Sequence, residues 1–309
     1  MKPNALTIAA CGVGQIRKHG WRLLWHRYIT RRRILDAGSI RCPENADLEV
    51  HMQVCARDWL NALWTLRSFR YYAKQPFQLL LFCDRTVTDE MQAHLRHRLP
   101  GADVTDCGKP PPPVHDFFSE KFPALYRLRS GGQFFTLPKV MDSFAMRRHE
   151  VIISLDPDVL FFDHPAEILE GLDASAPWVA RFNSPTTPTD RRGGFAIDED
   201  ALLHSFGLSY PERFGFGLGP VNYSRADWSL IERIVTDLPP DPGRAFLLDQ
   251  TIFAIWCAKF GWEPLPAARY AIAPVASLDG VVARHYYTKT RDLFYIEGIP
   301  ELTRRGLLN

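Results

Sequence analysis

The sequence predicts an α/β fold in which helices cover a mainly parallel central sheet. Apolar runs alternate with amphipathic helical patterns through the first third of the chain, an order that produces parallel strands. A continuous apolar run at 151–155 predicts a further, central strand, and no apolar run approaches the about 18–20 residues of a membrane span. With 309 residues, 46% of them hydrophobic, the chain is long enough for one large domain or two modest ones.

The first five elements are predicted in the order strand, helix, strand, helix, strand. Apolar residues at helical spacing predict the two helices, and Asp58 and Thr88 are their expected N-caps. A short, wholly apolar run predicts that the second strand is buried. The five elements are expected at 48–56, 57–73, 77–83, 88–99 and 100–106.

The rest of the chain is less regular. Four consecutive prolines from Pro110 predict a loop that runs to about Arg129, and a helix at 137–150 then leads into the strand at 151–155. A helix opened by Pro165 and an apolar run follow. We then expect a mobile loop, a glycine-rich turn with a strand, a helix and a long apolar helix; their expected positions are 184–194, 214–222, from about 227, and 244–261.

Two aspartates stand directly after the strand at 151–155. Asp156 and Asp158 are separated by Pro157, and apolar residues flank the pair on both sides. Two converging carboxylates repel each other unless a proton or a cation offsets their charge. A hard divalent cation suits such oxygen ligands and keeps positions for phosphate oxygens. The pair therefore predicts a metal site at the carboxyl edge of the sheet, and the alternative is a surface turn with solvated acids.

A basic N-terminal extension, residues 1–46, precedes the predicted domain at 47–309. It holds nine Lys/Arg and two Asp/Glu, whereas the rest of the chain carries a net charge of −5. Within 16–35, Trp21, Leu24, Trp25 and Tyr28 fall at helical spacing among arginines. Such a helix can lie on an anionic membrane surface, or it can pack on the domain with a solvated basic face. Nucleic-acid binding is not expected, because no second basic patch or known motif supports it.

The cysteines predict a reducing environment. None of the six forms a C-x-x-C pair, so we expect neither a disulfide framework nor a zinc site. The apolar stretch at 5–14 has no convincing cleavage site after it, so a signal peptide is not expected. The expected location is the cytoplasm, with a peripheral position at the inner face of the membrane if the basic helix binds lipid.

Several segments resemble glycosyltransferases of the GT-A fold, the nucleotide-diphospho-sugar transferases, and are distantly similar to their family-eight-like members. "ISLDPDVLFFDHPAEIL" resembles the strand, the D-x-D motif and its continuation. "LNALWTLRSFRYYAKQPFQLLLFCDRTVTDEMQAHLRHRLPGA" and "FPALYRLRSGGQFFTLPKVMDSFAMR" resemble the opening βαβα unit and the approach to the motif. The likeness extends from about Leu48 to Leu302. It implies a Rossmann-like GT-A fold, a Mn²⁺ or Mg²⁺ ion, a nucleotide-sugar donor (UDP-sugar favoured), and a glycan or lipid-linked acceptor in polysaccharide biosynthesis.

The resemblance also implies roles for residues of the metal and diphosphate site. Asp158 would bind the metal, and Asp156 would reach the ribose or the metal through water. His285 would complete the metal's ligands and Lys289 would contact the diphosphate, with Arg291 as a neighbouring alternative. The sequence departs here from the H-x-x-G-x-x-K pattern of the retaining family-eight enzymes, because no glycine stands at the matching position.

Further residues are assigned to the donor sugar. Asp249 in "LLDQT" would be a general base in an inverting enzyme, or would orient the donor in a retaining one; its alternative role is a helix N-cap. Gln250 would bind a sugar hydroxyl or lie at the surface. Gly219, with Gly217, would let the backbone approach the sugar. Lys139 is a candidate donor contact, although exposed helical lysines are commoner.

The sequence is less consistent with two other function classes than with a glycosyltransferase. A sugar nucleotidyltransferase would need a glycine-rich basic loop after its first strand, and "CARDWLNALW" has no glycine there. A non-catalytic protein that binds sugar nucleotides, or polysaccharide at a membrane surface, would have no need of paired acids.

Overall fold

A seven-stranded sheet forms the centre of the computed structural model, which describes residues 19–185, 194–272, 274–287 and 290–308. Its strand order is β3-β2-β1-β4-β7-β6-β8. The first four strands run parallel, β7 is antiparallel to both β4 and β6, and β8 is parallel to β6. The strands are β1 (Glu49–Val54), β2 (Gln78–Cys83), β3 (Asp103–Asp106), β4 (Val151–Leu155), β6 (Ala180–Asn183), β7 (Leu218–Asn222) and β8 (Trp262–Leu265).

A second, three-stranded sheet brings the C-terminal part of the chain next to the end of β4. Its central strand pairs antiparallel with β5 and parallel with β9. Because β5 follows β4 after a three-residue turn, this pairing places the last strand beside that turn. The strands are β5 (Val159–Phe161), β9 (Tyr270–Ala271) and β10 (Ala283–His285).

Helices cover both faces of the large sheet. Alternate residues of β4 enter different hydrophobic clusters: Ile153 and Leu155 pack with α2 and the C-terminal segment, and Ile152 packs with α9 and α10. The helices are α1 (19–28), α2 (Trp59–Ala73), α3 (Asp89–Arg98), α4 (Pro112–Phe118), α5 (Pro123–Ser130), α6 (Met141–Met146), α7 (Ala166–Leu169), α8 (Glu199–Phe206), α9 (Trp228–Asp237), α10 (Leu248–Phe260), α11 (Arg291–Leu293) and α12 (Ile299–Arg304). Short 3₁₀ or π turns lie at Thr30–Leu35, Leu137–Lys139, Tyr223–Arg225, Pro242–Leu247 and Phe294–Gly298.

The predicted α/β class, a mainly parallel central sheet flanked by helices, is confirmed, but two local predictions were wrong. The expected loop up to Arg129 contains α4 and α5, because Pro112 and Pro123 each stand in the first helical turn, where a missing N–H costs nothing. The expected helix at 137–150 is a 3₁₀ turn followed by the short α6. Most of the predicted mobile loop, 186–193, lies outside the described residues.

Helix α1 packs against the main domain on one side only. Leu23 is fully buried in the same cluster as β1 and α2, whereas Trp21 and Trp25 on the opposite face are 74% and 60% exposed. None of the described helices has both the length and the apolar character needed to cross a bilayer.

Candidate functional site

The two aspartates of D-x-D lie in a turn that three other elements hold in place. The backbone N–H of Asp156 donates to the Gly217 carbonyl beside β7, at 2.7 Å. The Pro157 carbonyl accepts from the Thr65 hydroxyl of α2 at 2.9 Å, and the Asp158 carbonyl accepts from the Tyr286 N–H after β10 at 2.8 Å. Each residue of the turn is therefore fixed by a different part of the fold, as a pre-organised site requires.

His285 closes a three-residue cluster with the aspartates. One ligand atom from each of Asp156, Asp158 and His285 lies within 4.8 Å of the others. His285 Nε2 is 3.2 Å from Asp158 Oδ1 and 3.7 Å from Asp156 Oδ2. The predicted metal-ligating residues, although separated by more than 120 positions in the chain, are thus brought together.

Two cations bind the other oxygen of each carboxylate. Lys139 Nζ is 2.5 Å from Asp156 Oδ1, and Arg291 Nη2 is 2.7 Å from Asp158 Oδ2. The remaining oxygens, Asp156 Oδ2 and Asp158 Oδ1, both face His285. Lys139 is only 7% exposed and lies 3.7 Å from the centre of the Phe216 ring, so it is a buried part of the site and not an exposed helical lysine.

The charges within the cluster stabilise one another. Burial alone would raise the pKa of Asp158, but His285, Arg291 and Lys139 hold it below its usual value. Burial would lower the pKa of His285, yet the two neighbouring carboxylates raise it. Burial also opposes the charge of Arg291, and Asp158 and Asp58 together raise the pKa of its guanidinium. Asp158, His285 and Arg291 therefore each favour the charged form of their neighbours.

The donor set fits a divalent cation. Asp156 Oδ2, Asp158 Oδ1 and the neutral form of the His285 imidazole are hard or borderline ligands of the kind that Mn²⁺ and Mg²⁺ accept. His285 Nδ1 is buried and has no hydrogen-bond partner among the residues that the structure describes. The nitrogen that faces the two carboxylates is the other one, Nε2, so it is Nε2 that would bind a cation held by the aspartates.

Asp249 lies at the start of α10, on the other side of Lys139. Its carboxylate is 4.0 Å from Lys139 Nζ and is almost fully buried. Burial raises the pKa of Asp249 to about 6, although Lys139 partly opposes the shift. The N-cap of α10 is Leu247, so the alternative role of Asp249 as a helix cap is wrong.

Two other predicted donor contacts lie away from the cluster. The Gln250 side chain donates to the Gly194 carbonyl at 2.9 Å. Gly219 has a φ of +151°, and a Cβ there would come within 1.7 Å of the Arg181 carbonyl oxygen, so this glycine is required by the packing of β7 on β6. Gly217 is the glycine that faces the site: a Cβ on it would lie 2.4 Å from the His285 ring and 2.8 Å from Asp156 Oδ2.

A cleft of about 290 Å³ opens over the cluster and is called the active-site cleft below. It lies where the carboxyl ends of β1, β2 and β4 meet, the edge at which open α/β sheets bind ligands. Two exposed rings, Phe135 and Phe246, stand among its walls. Its lining residues are Gln53, Val54, Cys55, Arg57, Asp58, Asp84, Phe135, Thr136, Lys139, Asp156, Pro157, Asp158, Phe246, Asp249 and Arg291.

The structure adds Asp58 to the site and changes the role expected for it. Asp58 does begin α2, but its carboxylate makes no capping hydrogen bond. It accepts from Arg291 Nη1 at 2.6 Å and pairs with Arg57, so Arg291 bridges Asp58 and Asp158. No sequence signal reveals this pairing, because 233 positions separate Asp58 from Arg291. Lys289, the predicted diphosphate contact, lies outside the described residues.

Comparison with known proteins places the fold. No protein-family model and no curated protein matches the sequence. The apo structure of mouse xyloside xylosyltransferase 1 matches with a TM-score of 0.52 and 15% identity, over 79% of this chain and 98% of that one. The bifunctional glycosyltransferase WbbM in its apo form matches with a TM-score of 0.50 and 11% identity, over 87% of this chain and 53% of that one.

The chain has the GT-A glycosyltransferase fold. The fold expected from the sequence resemblance is thus confirmed, and the D-x-D turn stands at the ligand-binding edge of its sheet. The chain spans about half the length of WbbM, so the comparison with that protein concerns one part of it.

Proposed function

We propose that the protein is a metal-dependent glycosyltransferase that moves a sugar from a nucleoside-diphosphate donor to an acceptor hydroxyl. The observation that carries this proposal is the convergence of Asp156, Asp158 and His285 beside two cations at the carboxyl edge of a GT-A sheet. Acidic and imidazole ligands suit a divalent cation, and Lys139 and Arg291 suit the phosphates of a donor.

In the proposed reaction the bond between the anomeric carbon and the diphosphate breaks. Asp156, Asp158 and His285 would hold Mn²⁺ or Mg²⁺, which when bound supplies Lewis-acid stabilisation of the departing diphosphate. Arg291 and Lys139, already at the aspartates, place positive charge where negative charge develops on the leaving group. Lys289 is proposed to add a further diphosphate contact.

Asp249 is proposed to act on the sugar side of the site. Its raised pKa of about 6 lies near neutral pH, which suits a general base for an acceptor hydroxyl in an inverting reaction. In a retaining reaction the same carboxylate would orient the donor sugar. The exposed rings of Phe135 and Phe246 offer flat apolar surfaces for a nucleobase or a sugar face, and UDP-sugar is the proposed donor class.

Calorimetric titration of UDP and GDP, each with and without Mn²⁺, tests this function. We expect metal-dependent binding by the wild type and by Asp116→Asn, a matched change on the exposed side of α4. We expect Asp158→Asn to lose the metal dependence. Equal binding by Asp158→Asn and wild type would contradict the assignment.

A donor hydrolysis assay separates this enzyme from a non-catalytic binder. The binder remains an alternative because Lys139 and Arg291 by themselves neutralise both aspartates, so the cluster is stable as a fixed ion-pair network. Slow metal-dependent release of UDP from a UDP-sugar supports catalysis. Tight donor binding with no release over the buffer rate would favour the binder.

The acceptor is proposed to be a glycan or a lipid-linked molecule at the inner face of the cytoplasmic membrane. Within 16–35, the described part of the segment presents four exposed apolar side chains and three exposed arginines, a combination that suits an anionic lipid surface. They are Trp21, Trp25, Tyr28 and Ile29, with Arg22, Arg32 and Arg33. His19 lies 3.2 Å from Asp292, the residue next to Arg291, so a membrane bound by α1 would lie close to the active-site cleft.

Flotation with anionic vesicles tests this placement. Trp21→Ala/Trp25→Ala should reduce the vesicle-bound fraction, whereas Leu203→Ala, at another exposed apolar position, on α8, should leave it unchanged. Vesicle binding that is equal in both variants and the wild type would rule out α1 as the membrane contact.

A further inference from the structure

A second cleft lies at the opposite end of α2 from the active-site cleft. Its volume is about 600 Å³, within the range of roughly 300–1,000 Å³ typical of small-molecule sites. We call it the basic pocket, because four of its lining residues are cationic and none is acidic. The lining residues are Ser39, Ile40, Arg41, Arg67, Arg70, Tyr71, Lys74 and Leu307.

Within the described part of the chain, no acidic group compensates the positive charge of the basic pocket. Across the described ranges, no carboxylate lies within ion-pair distance of Arg41, Arg67, Arg70 or Lys74. Arg67 is half-buried, yet the hydrogen bonds of its guanidinium to described residues are donated to neutral carbonyls, of Gly38 at 2.6 Å and Leu307 at 2.9 Å.

The charged form of Arg67 is therefore destabilised by its surroundings. Burial lowers the pKa of Arg67, and the neighbouring Arg98 lowers it further. Elsewhere in the molecule a buried arginine has an acidic partner: Arg129 binds Asp142 through two hydrogen bonds. A cation that is partly buried without such a partner favours an external anion.

Lys74 occupies a backbone conformation that favours glycine. It ends α2 with a φ of +59° and is the only non-glycine residue with positive φ among those described. The corresponding residue at the end of α8 is Gly207, with a φ of +66°. A side chain at such a position is strained, so the lysine at the rim of the basic pocket is not explained by the needs of the helix end.

We propose that the basic pocket binds a phosphate-bearing anion through Arg41, Arg67, Arg70 and Lys74. Arginine forks match the geometry of phosphate oxygens, and the lysine adds a mobile ammonium group. The same chemistry is offered by a free phosphomonoester and by the headgroup of an anionic lipid. The proposal does not depend on the glycosyltransferase activity, because the basic pocket shares no lining residue with the active-site cleft.

The test compares two double variants that remove the same charge. Arg70→Gln/Lys74→Gln changes the basic pocket, and Lys121→Gln/Arg127→Gln changes two exposed cations near α5. Calorimetry with inorganic phosphate and with glycerol 3-phosphate is run without divalent metal. Flotation uses vesicles of phosphatidylcholine with and without phosphatidic acid.

We expect the pocket variant to bind phosphate or glycerol 3-phosphate about tenfold more weakly than the wild type, or worse, since each lost charge-assisted hydrogen bond has a large effect. The control variant should bind as the wild type does. Loss confined to vesicles with phosphatidic acid would identify the anion as a lipid headgroup, and loss of the soluble ligands would identify a free phosphate compound.

Lys74→Gly provides a second measurement, because it removes the ammonium group while relieving the strained backbone. We expect weaker phosphate binding together with a higher Tm, a combination that a merely unfolded variant does not give. Equal affinity of the wild type, Lys74→Gly and Arg70→Gln/Lys74→Gln for both soluble ligands and for both vesicle types would overturn the proposal.

Discussion

The two ends of α2 differ in how their charged side chains are neutralised. At its start, Asp58 joins Arg291 and Asp158 in a network in which every charge has a partner. At its end, Lys74 and Arg70 join two further arginines with no acid among the lining residues. A paired network tolerates burial without a ligand, whereas a set of like charges requires an anion to become stable. The cleft is thus pre-organised by its own residues, and the basic pocket is completed by what it binds.

Asp158→Asn should have the largest effect, because it breaks the paired network at its centre. It removes a proposed metal ligand and the partner of Arg291. We expect kcat/KM for donor turnover to fall by about 10²–10³, the size of effect seen when a preorganised electrostatic contact is lost. Single-turnover assays across a Mn²⁺ series measure it, and undiminished activity at saturating Mn²⁺ would show that Asp158 is not required.

Asp249→Asn should stabilise the protein at neutral pH. The folded-state pKa of about 6 is above the ordinary value, so the folded state binds this proton more tightly than the unfolded state does. Ionisation of Asp249 therefore lowers the free energy of unfolding as pH rises from about 4 to 6. Since one pKa unit corresponds to about 1.4 kcal/mol, ionisation of Asp249 lowers the free energy of unfolding by at most about 3 kcal/mol at pH 7.5.

Urea denaturation without metal or donor at pH 7.5 and pH 3.5 checks this expectation. The variant should be more stable than the wild type at pH 7.5, and the difference should disappear at pH 3.5. A difference of the same size at both pH values would mean that packing, and not ionisation, separates the two proteins.

Gly217→Ala should weaken the metal cluster without changing its ligands. The added Cβ would displace His285 and Asp156, both of which lie under 3 Å from its position. We expect Mn²⁺ affinity to fall about tenfold, as for residues that orient metal ligands. Gly38→Ala is the control, because a Cβ there meets no atom within 4 Å. Unchanged Mn²⁺ affinity in Gly217→Ala would show that His285 is not a metal ligand.

Lys74→Gly should have the smallest effect, and it tests the strain at the pocket end of α2. Relief of the left-handed backbone, less the entropy cost of glycine, should raise the free energy of unfolding by roughly 0.5–1 kcal/mol. The reverse change at the end of α8, Gly207→Lys, should lower it by a similar amount. Equilibrium urea curves give both values, and stabilisation by both changes would refute the strain argument.

The sequence predicted the part of the site that local pattern determines. Strand β4 and the position of Asp156 and Asp158 after it follow from a continuous apolar run that ends in a turn, and both are confirmed as structure. The antiparallel direction of β7 was not predicted, because strand direction depends on which neighbour a strand pairs with. Hydrophobic pattern alone contains no such information.

Contacts between distant segments could not be predicted. Lys139 resembles an exposed helical lysine in sequence, but the 3₁₀ turn at Leu137–Lys139 directs it into the interior, where it meets Asp156, Asp249 and Phe216. The two glycines of the "FGLG" segment look alike in the sequence, but one is needed for strand packing and the other lies against the metal cluster. Only the packing distances assign Gly219 to the sheet and Gly217 to the site.

The bridge made by Arg291 also sets an order of folding. It joins Asp58 and Asp158, which precede it by 233 and 133 positions, so both ion pairs close very large loops. The parallel strands β1 to β4 are all formed by residues that precede this arginine, so they can pair before the arginine joins the two carboxylates. Completion of the site is therefore expected to be a late event in folding, and a chain arrested before residue 291 would lack the guanidinium that joins Asp58 to Asp158.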